Sequence, residues 1–188
     1  MNDQCQYVFC LYTETQQMNS LPMHIRLMNQ EDIDLIVRQF SAYNWPKPRA
    51  TFTNYLQEQE NQERLIWVAF YETNFAGYIT LKWQSSYPSF SEQKIPEIMD
   101  LNVLPPYRNK GIATALLDCA EAEAFKKNPV LGIGVGLYAD YGQAQRLYVQ
   151  RGYIPNGLGI TYDYKIADPG SMVCLDDDLI LWFTKRSS

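Results

Sequence analysis

Arg108–Ala113 reads RNKGIA, a run of basic and small residues that follows the apolar stretch IPEIMDLNVL and opens the helix-forming run GIATALLDCAEAEAFKK. A strand that passes through a short loop directly into a helix aims unpaired backbone N–H groups, backed by the positive end of the helix dipole, at one spot. That spot binds anions. Gly111 lets a ligand approach the backbone, Arg108 and Lys110 add positive charge, and Ala113 and Thr114 keep the next turn small, so a pyrophosphate would fit there. An ordinary strand-to-helix turn with solvated basic residues is the plainer reading. The loop is not a P-loop, because GxxxxGK[ST] is absent, and GIGVG at Gly132–Gly136 falls within a strand with Leu137 in the last glycine position of a dinucleotide fingerprint.

The elements that must position this loop follow from periodicity and turn signals. MHIRLM opens with a strand, and NQEDIDLIVRQFSAY is a helix with Asn29 as its cap and Ile33, Ile36, Val37 and Phe40 on one face. A second, more polar helix starts after WPKP, and RLIWVAFY and AGYITLKW flank ETNF as a hairpin. IPEIMDLNVL is a strand stopped by Pro105 and Pro106. After the helix from Gly111 come the strand VLGIGVGLY, the helix DYGQAQRLYVQRG and strands around ITYDYKI and DLILWFTK. This order predicts an α/β (α+β) domain, a mixed, mostly antiparallel sheet of six to seven strands with helices on both faces. Residues 1–22, polar and rich in Gln, Asn and Thr, read as an extension, and residues 23–188 as one domain.

Composition narrows the setting. The 16 basic against 21 acidic residues give a net charge of −5 without a basic block, which argues against nucleic acid and mildly favours cationic substrates. Cys5, Cys10, Cys119 and Cys174 lack metal-ligand spacing, and with a single histidine no metal site is expected. No secretory signal pattern and no apolar run of membrane-spanning length is present, so a reducing cytoplasm and no membrane partner are expected.

RNKGIA is similar to the [QR]-x-x-G-x-[GA] motif of the GCN5-related N-acetyltransferases, whose loop cradles the pyrophosphate of acetyl-coenzyme A. Downstream, Tyr141–Tyr153 (YGQAQRLYVQRGY) resembles the family's N-x-x-A-x-x-L-Y-x-x-x-G-[FY] segment, with Tyr141 in place of the usual asparagine. The resemblance implies cofactor contacts from the main chain of Leu101, Asn102 and Val103, from Arg108, Asn109, Lys110, Gly111, Ile112, Ala113 and Thr114, and from Tyr141 and Ala144. It implies Tyr148 as the acid that protonates the leaving thiolate; the plainer alternative is a core aromatic on an amphipathic helix. Glu97 resembles the glutamate of histone-type members. Asp100, three places on and on the opposite strand face by alternation, sits in DLNV, which looks like the DLAV of small-molecule members. Either carboxylate is the candidate base, or bulk water deprotonates the amine and both are solvated or capping groups.

The implied activity is direct transfer of acetyl from acetyl-coenzyme A, without a metal, to a primary amine, with a small-molecule acceptor expected. A protein N-terminus or lysine, or a catalytically idle acetyl-coenzyme A sensor, stay open, as does a homodimer. Other residues have plain readings. Gly132, Gly134 and Gly136 either let a ligand pass or make room for a bulky side chain. Trp45 shapes an acceptor pocket or packs, Asp176–Asp178 form a solvated turn or an acidic lip, Cys119 falls with Ile112, Ala115 and Leu116 on the apolar, core face of its helix, and His24 is a strand-end residue.

Overall fold

Alternating apolar residues, broken by proline and by left-handed turn residues, divide the chain into thirteen helices and strands among the residues that the computed structural model describes, 23–187. The expected N-terminal extension lies outside the described residues. In chain order they are β1 (Met23–Leu27), α1 (Asp32–Ser41), α2 (Arg49–Glu60), β2 (Arg64–Tyr71), β3 (Asn74–Lys82), α3 (Pro88–Glu92), β4 (Glu97–Val103), α4 (Ile112–Phe125), β5 (Val130–Gly136), α5 (Gly142–Gln150), β6 (Ile154–Tyr162), β7 (Lys165–Ile166) and β8 (Leu179–Arg186). The strands run β1-β2-β3-β4-β5-β8-β6-β7 in one mixed, mostly antiparallel sheet. The expected six to seven strands become eight because Asp163 and Tyr164, both left-handed, fold ITYDYKI back into the separate two-residue β7. The chain forms two compact units, residues 23–80 with 100–120 and residues 81–99 with 121–187.

In the first unit, Ile33, Ile36 and Phe40 of α1 and Phe52 and Leu56 of α2 are buried with Ile66, Val68, Phe75, Tyr78 and Leu104. Their burial supplies the main stabilisation, roughly 1.5–3 kcal/mol for each large apolar side chain. Asn29 is not the cap of α1. Glu31 holds that position without a side-chain bond, while Asn29 Oδ1 accepts the Glu31 N–H at 3.0 Å and closes the turn ahead of the helix. Buried Asp32 accepts two bonds from Arg26, at 2.6 and 2.8 Å, and one from the Asn29 N–H at 2.8 Å. Trp45 packs edge-on to Phe40 at 5.1 Å, and His24 is an exposed residue of β1. Cys119 and Ala115 are only half-buried, because the core face of α4 is formed by Ile112, Leu116, Leu117 and Ala120.

In the second unit, β5 pairs antiparallel with β8 along its whole length, β8 pairs with β6, and β4 meets β5 in parallel at Glu97↔Gly132 and Ile98↔Ile133. Tyr87 and Phe90, the latter in the short helix α3, enclose Trp182 together with Ile95. Glu121 gathers Arg151 at 2.8 Å, Lys185 at 2.6 Å and the Tyr153 hydroxyl at 3.1 Å.

Candidate active site

β4 leads into the loop that the sequence singled out. Leu104 N–H bonds to Ala76 O at 2.9 Å and a 3₁₀ turn, Pro105–Tyr107, redirects the chain. Arg108 Nε donates back to Val103 O at 3.2 Å, tying the two ends of that turn together. Asn109 and Gly111 are left-handed, with φ of 59° and 79°. Gly111 O accepts the Ala115 N–H at 3.0 Å, so the helical bonding of α4 begins at Gly111. Arg108 ahead of them is extended, with φ of −65° and ψ of 154°, and the first N–H groups of any helix lack an intrahelical partner. A Cβ placed on Gly111 would meet nothing within 4 Å, so the space beside it is open. Arg108, Asn109, Lys110, Gly111 and Thr114 are exposed, Ala113 is half-buried, and the Ile112 side chain is buried and anchors the helix start. Lys110 Nζ lies 4.5 Å from the centre of the Tyr71 ring. All seven residues from Arg108 to Thr114 are thus brought onto one loop and first turn.

Upstream, Asn102 is buried and Leu101 and Val103 half-buried. A Cβ on Gly77 would sit 2.3 Å from Asn102 O, so glycine is required where the β3 and β4 backbones pass. Asp100 has φ of 48°. A left-handed residue interrupts the pleat, so assignment of faces by counting from Glu97 does not run through it. The Asp100 carboxylate is exposed and accepts the hydroxyl of Tyr55. Burial first, then the Asp100 charge and this hydrogen bond, hold the Tyr55 phenol well above its ordinary pKa. The Arg64 guanidinium lies 4.1 Å from the centre of the Tyr55 ring, bonds to Glu58 and donates to Thr80 Oγ1 at 2.8 Å. Tyr78, 1% exposed, is raised mainly by burial and then by Asp100.

In the second unit, Glu97 is 3% exposed rather than solvated. It accepts the Ser85 hydroxyl at 2.5 Å, and Ser85 Oγ in turn accepts the Tyr87 N–H at 2.9 Å. Tyr141 precedes α5 in a 3₁₀ turn; its hydroxyl donates to Asp177 at 2.8 Å, and burial followed by that bond raises its pKa. Ala144 is half-buried on the first turn of α5. Tyr148 is buried on α5, and burial alone raises its phenol, which therefore keeps its proton at neutral pH. Left-handed Gly152, φ 85°, ends the helix, and Tyr153 N–H bonds to Tyr148 O at 3.0 Å.

The β5 glycines make room for rings. A Cβ on Gly132 would lie 2.2 Å from Phe90, on Gly134 2.9 Å from Trp182, and on Gly136 2.4 Å from Tyr141. The Asp176–Asp178 run is not merely a solvated turn, since Asp176 accepts the Tyr162 hydroxyl at 3.1 Å and Asp177 those of Tyr138 and Tyr141. Sequence reasoning missed Tyr55, Arg64 and Ser85, because no local spacing marks contacts that the fold makes across 45, 16 and 12 residues. Among the described residues there is no group of His, Cys, Asp and Glu that could hold a metal ion, and no helix is long and apolar enough to cross a membrane.

Residues 33–153 match the model of the acetyltransferase (GNAT) family. No curated protein sequence matches the chain. Its fold is similar to that of an N-acetyltransferase from Staphylococcus aureus, with TM-score 0.63 and 18% identity over 88% of this chain and 98% of that one. A ribosomal-protein-alanine N-acetyltransferase from Brucella melitensis is similar with TM-score 0.63 and 18% identity over 87% and 99%. Arabidopsis thaliana NAA60, determined in complex with acetyl-CoA, is similar with TM-score 0.63 and 16% identity over 88% and 98%.

Proposed function

Because the chain belongs to the acetyltransferase (GNAT) family, and is an N-acetyltransferase by that membership, we propose that it moves the acetyl group of acetyl-CoA directly onto a primary amine of a small molecule. One observation carries the cofactor part of this reading: the exposed loop Arg108–Gly111, with two left-handed residues and open space beside Gly111, ahead of the 14-residue α4. These features suit a diphosphate. Backbone N–H groups of the loop and first turn would hold its oxygens, Arg108 and Lys110 would add charge, and the main chain of Leu101, Asn102 and Val103 would line the pantetheine arm. Tyr141 is a weaker cofactor ligand than an asparagine there, since its hydroxyl is committed to Asp177. When bound, acetyl-CoA supplies an activated thioester.

The remaining demands are protonic. Tyr148 Oη, kept protonated by burial, would hold the proton that the leaving sulfur needs. The acceptor nitrogen must shed a proton, and of the two candidate carboxylates exposed Asp100 is more accessible than Glu97, which is buried with Ser85. The net charge of −5 suits a cationic acceptor. The likeness to a ribosomal-protein-alanine N-acetyltransferase favours, as a second reading, the amine of a protein N-terminus.

Calorimetry with acetyl-CoA, followed by a thiol-release assay over spermidine, kanamycin, free amino acids and peptides with a free α-amine, tests both readings. Binding with transfer to the small amines is expected. Transfer to the peptides alone replaces the acceptor, and binding without transfer to any of them points to a sensor. Tyr148→Phe should lower kcat by roughly 10²-fold with acetyl-CoA affinity retained; a kcat within about twofold of wild type, with chemistry rate-limiting, removes the acid role.

A further inference from the structure

Tyr55 on α2 and Asp100 on β4 are joined by a hydrogen bond that no motif announces. Its direction is fixed. The phenol is held in its protonated form, so tyrosine donates and Asp100 Oδ2 accepts. The ring is itself fixed, packed edge-on to buried Phe52 at 6.0 Å and lying beside the Arg64 guanidinium. Arg64 bonds to Glu58 and Thr80, and the Asp100 carboxylate accepts the neutral Tyr55 phenol. Asp100 is also the one left-handed residue of β4, a conformation that costs an L-residue roughly 1–2 kcal/mol and that aspartate tolerates better than most. The Asp100 residue is exposed, and one oxygen of its carboxylate, Oδ2, is held by Tyr55.

We propose that Tyr55 is a positioning residue for the acceptor: by holding Asp100 Oδ2 it orients the carboxylate so that Oδ1 binds the ammonium of an aliphatic primary amine and takes its proton. The inference rests on the acetyl-transfer reading above. In the step, one N–H bond of the ammonium breaks and an O–H bond forms on Asp100 Oδ1. The electron pair of the broken bond stays on nitrogen as the nucleophile. No further reactant is needed.

Tyr55→Phe removes the hydroxyl and keeps the ring with its Phe52 and Arg64 contacts, and Asp100→Asn keeps a residue that accepts the left-handed backbone, so both variants should fold, as thermal melts would show. With the best amine of the panel, Tyr55→Phe should lower kcat/KM for the amine about 30-fold, while the Kd of acetyl-CoA stays within about twofold. Asp100→Asn should lose at least as much. Adding Tyr55→Phe to Asp100→Asn should change little more, because a clamp has no further effect once its carboxylate is gone. Losses that multiply in the double variant, or a Tyr55→Phe enzyme within about twofold of wild type, overturn the positioning role and leave the transfer reading intact. A wild-type protein that binds no acetyl-CoA, or that acetylates no amine, overturns both.

Discussion

The two stretches that carry the family's signature face opposite kinds of surroundings. Around RNKGIA the chain is open: exposed side chains, two left-handed residues and empty space where a Gly111 side chain would be. Around YGQAQRLYVQRGY the tyrosine rings are packed, although Gly142 and Gly152 are as open as Gly111 and Val149 is exposed. The Tyr141 ring covers Gly136, Tyr148 is buried, and Tyr153 reaches Glu121 in a cluster with Arg151 and Lys185. Glycine occurs in both settings for different physical reasons. At Gly111 it supplies a backbone conformation and leaves room for something from outside the chain. At Gly136 it leaves room for a ring of the chain itself. On the proposed function, a signature motif mixes residues that would meet a ligand with residues that hold those in place, and substitutions should separate the two.

Gly136→Val should have the largest effect. Its Cβ would lie 2.4 Å from the Tyr141 ring, and overpacking of this kind costs about 3 kcal/mol; urea titration should show that loss, while the folded fraction loses acetyl-CoA affinity only by the weak contact of Tyr141. Equal weakening of binding would erase the contrast between the two stretches. Gly111→Val should weaken acetyl-CoA binding by about 2 kcal/mol, roughly 30-fold in Kd by calorimetry, on top of the backbone cost that its φ of 79° imposes on folding. Gly111→Asn, which tolerates positive φ, should lose less. Next comes Glu121→Gln. Burial works to raise the Glu121 pKa, but the bonds and charges of Arg151 and Lys185 outweigh it and hold the carboxyl below its ordinary value. A lowered folded-state pKa stabilises above the unfolded value and is lost as pH falls through the folded one. The variant should be about 1.5 kcal/mol less stable at pH 7, and its melting curve should approach that of wild type below about pH 4; a gap that persists in acid would mean packing rather than charge. The smallest effect belongs to Lys110→Ala, about threefold in acetyl-CoA affinity at low salt and less at high salt, where screening removes it.

Element order was legible because periodicity and turn residues act locally. The buried face Ile33, Ile36, Phe40 has helical spacing, and Pro105 with Pro106 stops β4. α3 was not, since five residues, PSFSE, are too few to show a period. The loop Arg108–Gly111 reads as a candidate anion site because strand, glycine and helix are contiguous. The sign of φ at Asp100 leaves no trace in composition, and its partnership with Tyr55 arises only when α2 and β4 fold into the same unit. The β5 glycines show the limit most directly: GIGVG is equally compatible with a passing ligand and with Phe90, Trp182 and Tyr141, and only packing distinguishes them.

The ring of Trp182 lies 4.2 Å from that of Tyr87 at an interplanar angle of 2°, with Tyr164 stacked at 6.0 Å and the indole N–H bonded to Thr161 Oγ1 at 2.8 Å. A tryptophan at 1% exposure, fixed in a chiral array of neighbouring chromophores, couples their electronic transitions. The stacked Trp182–Tyr87 pair thus gives the second unit a near-ultraviolet circular-dichroism band whose loss on unfolding reports the opening of this scaffold without any added dye.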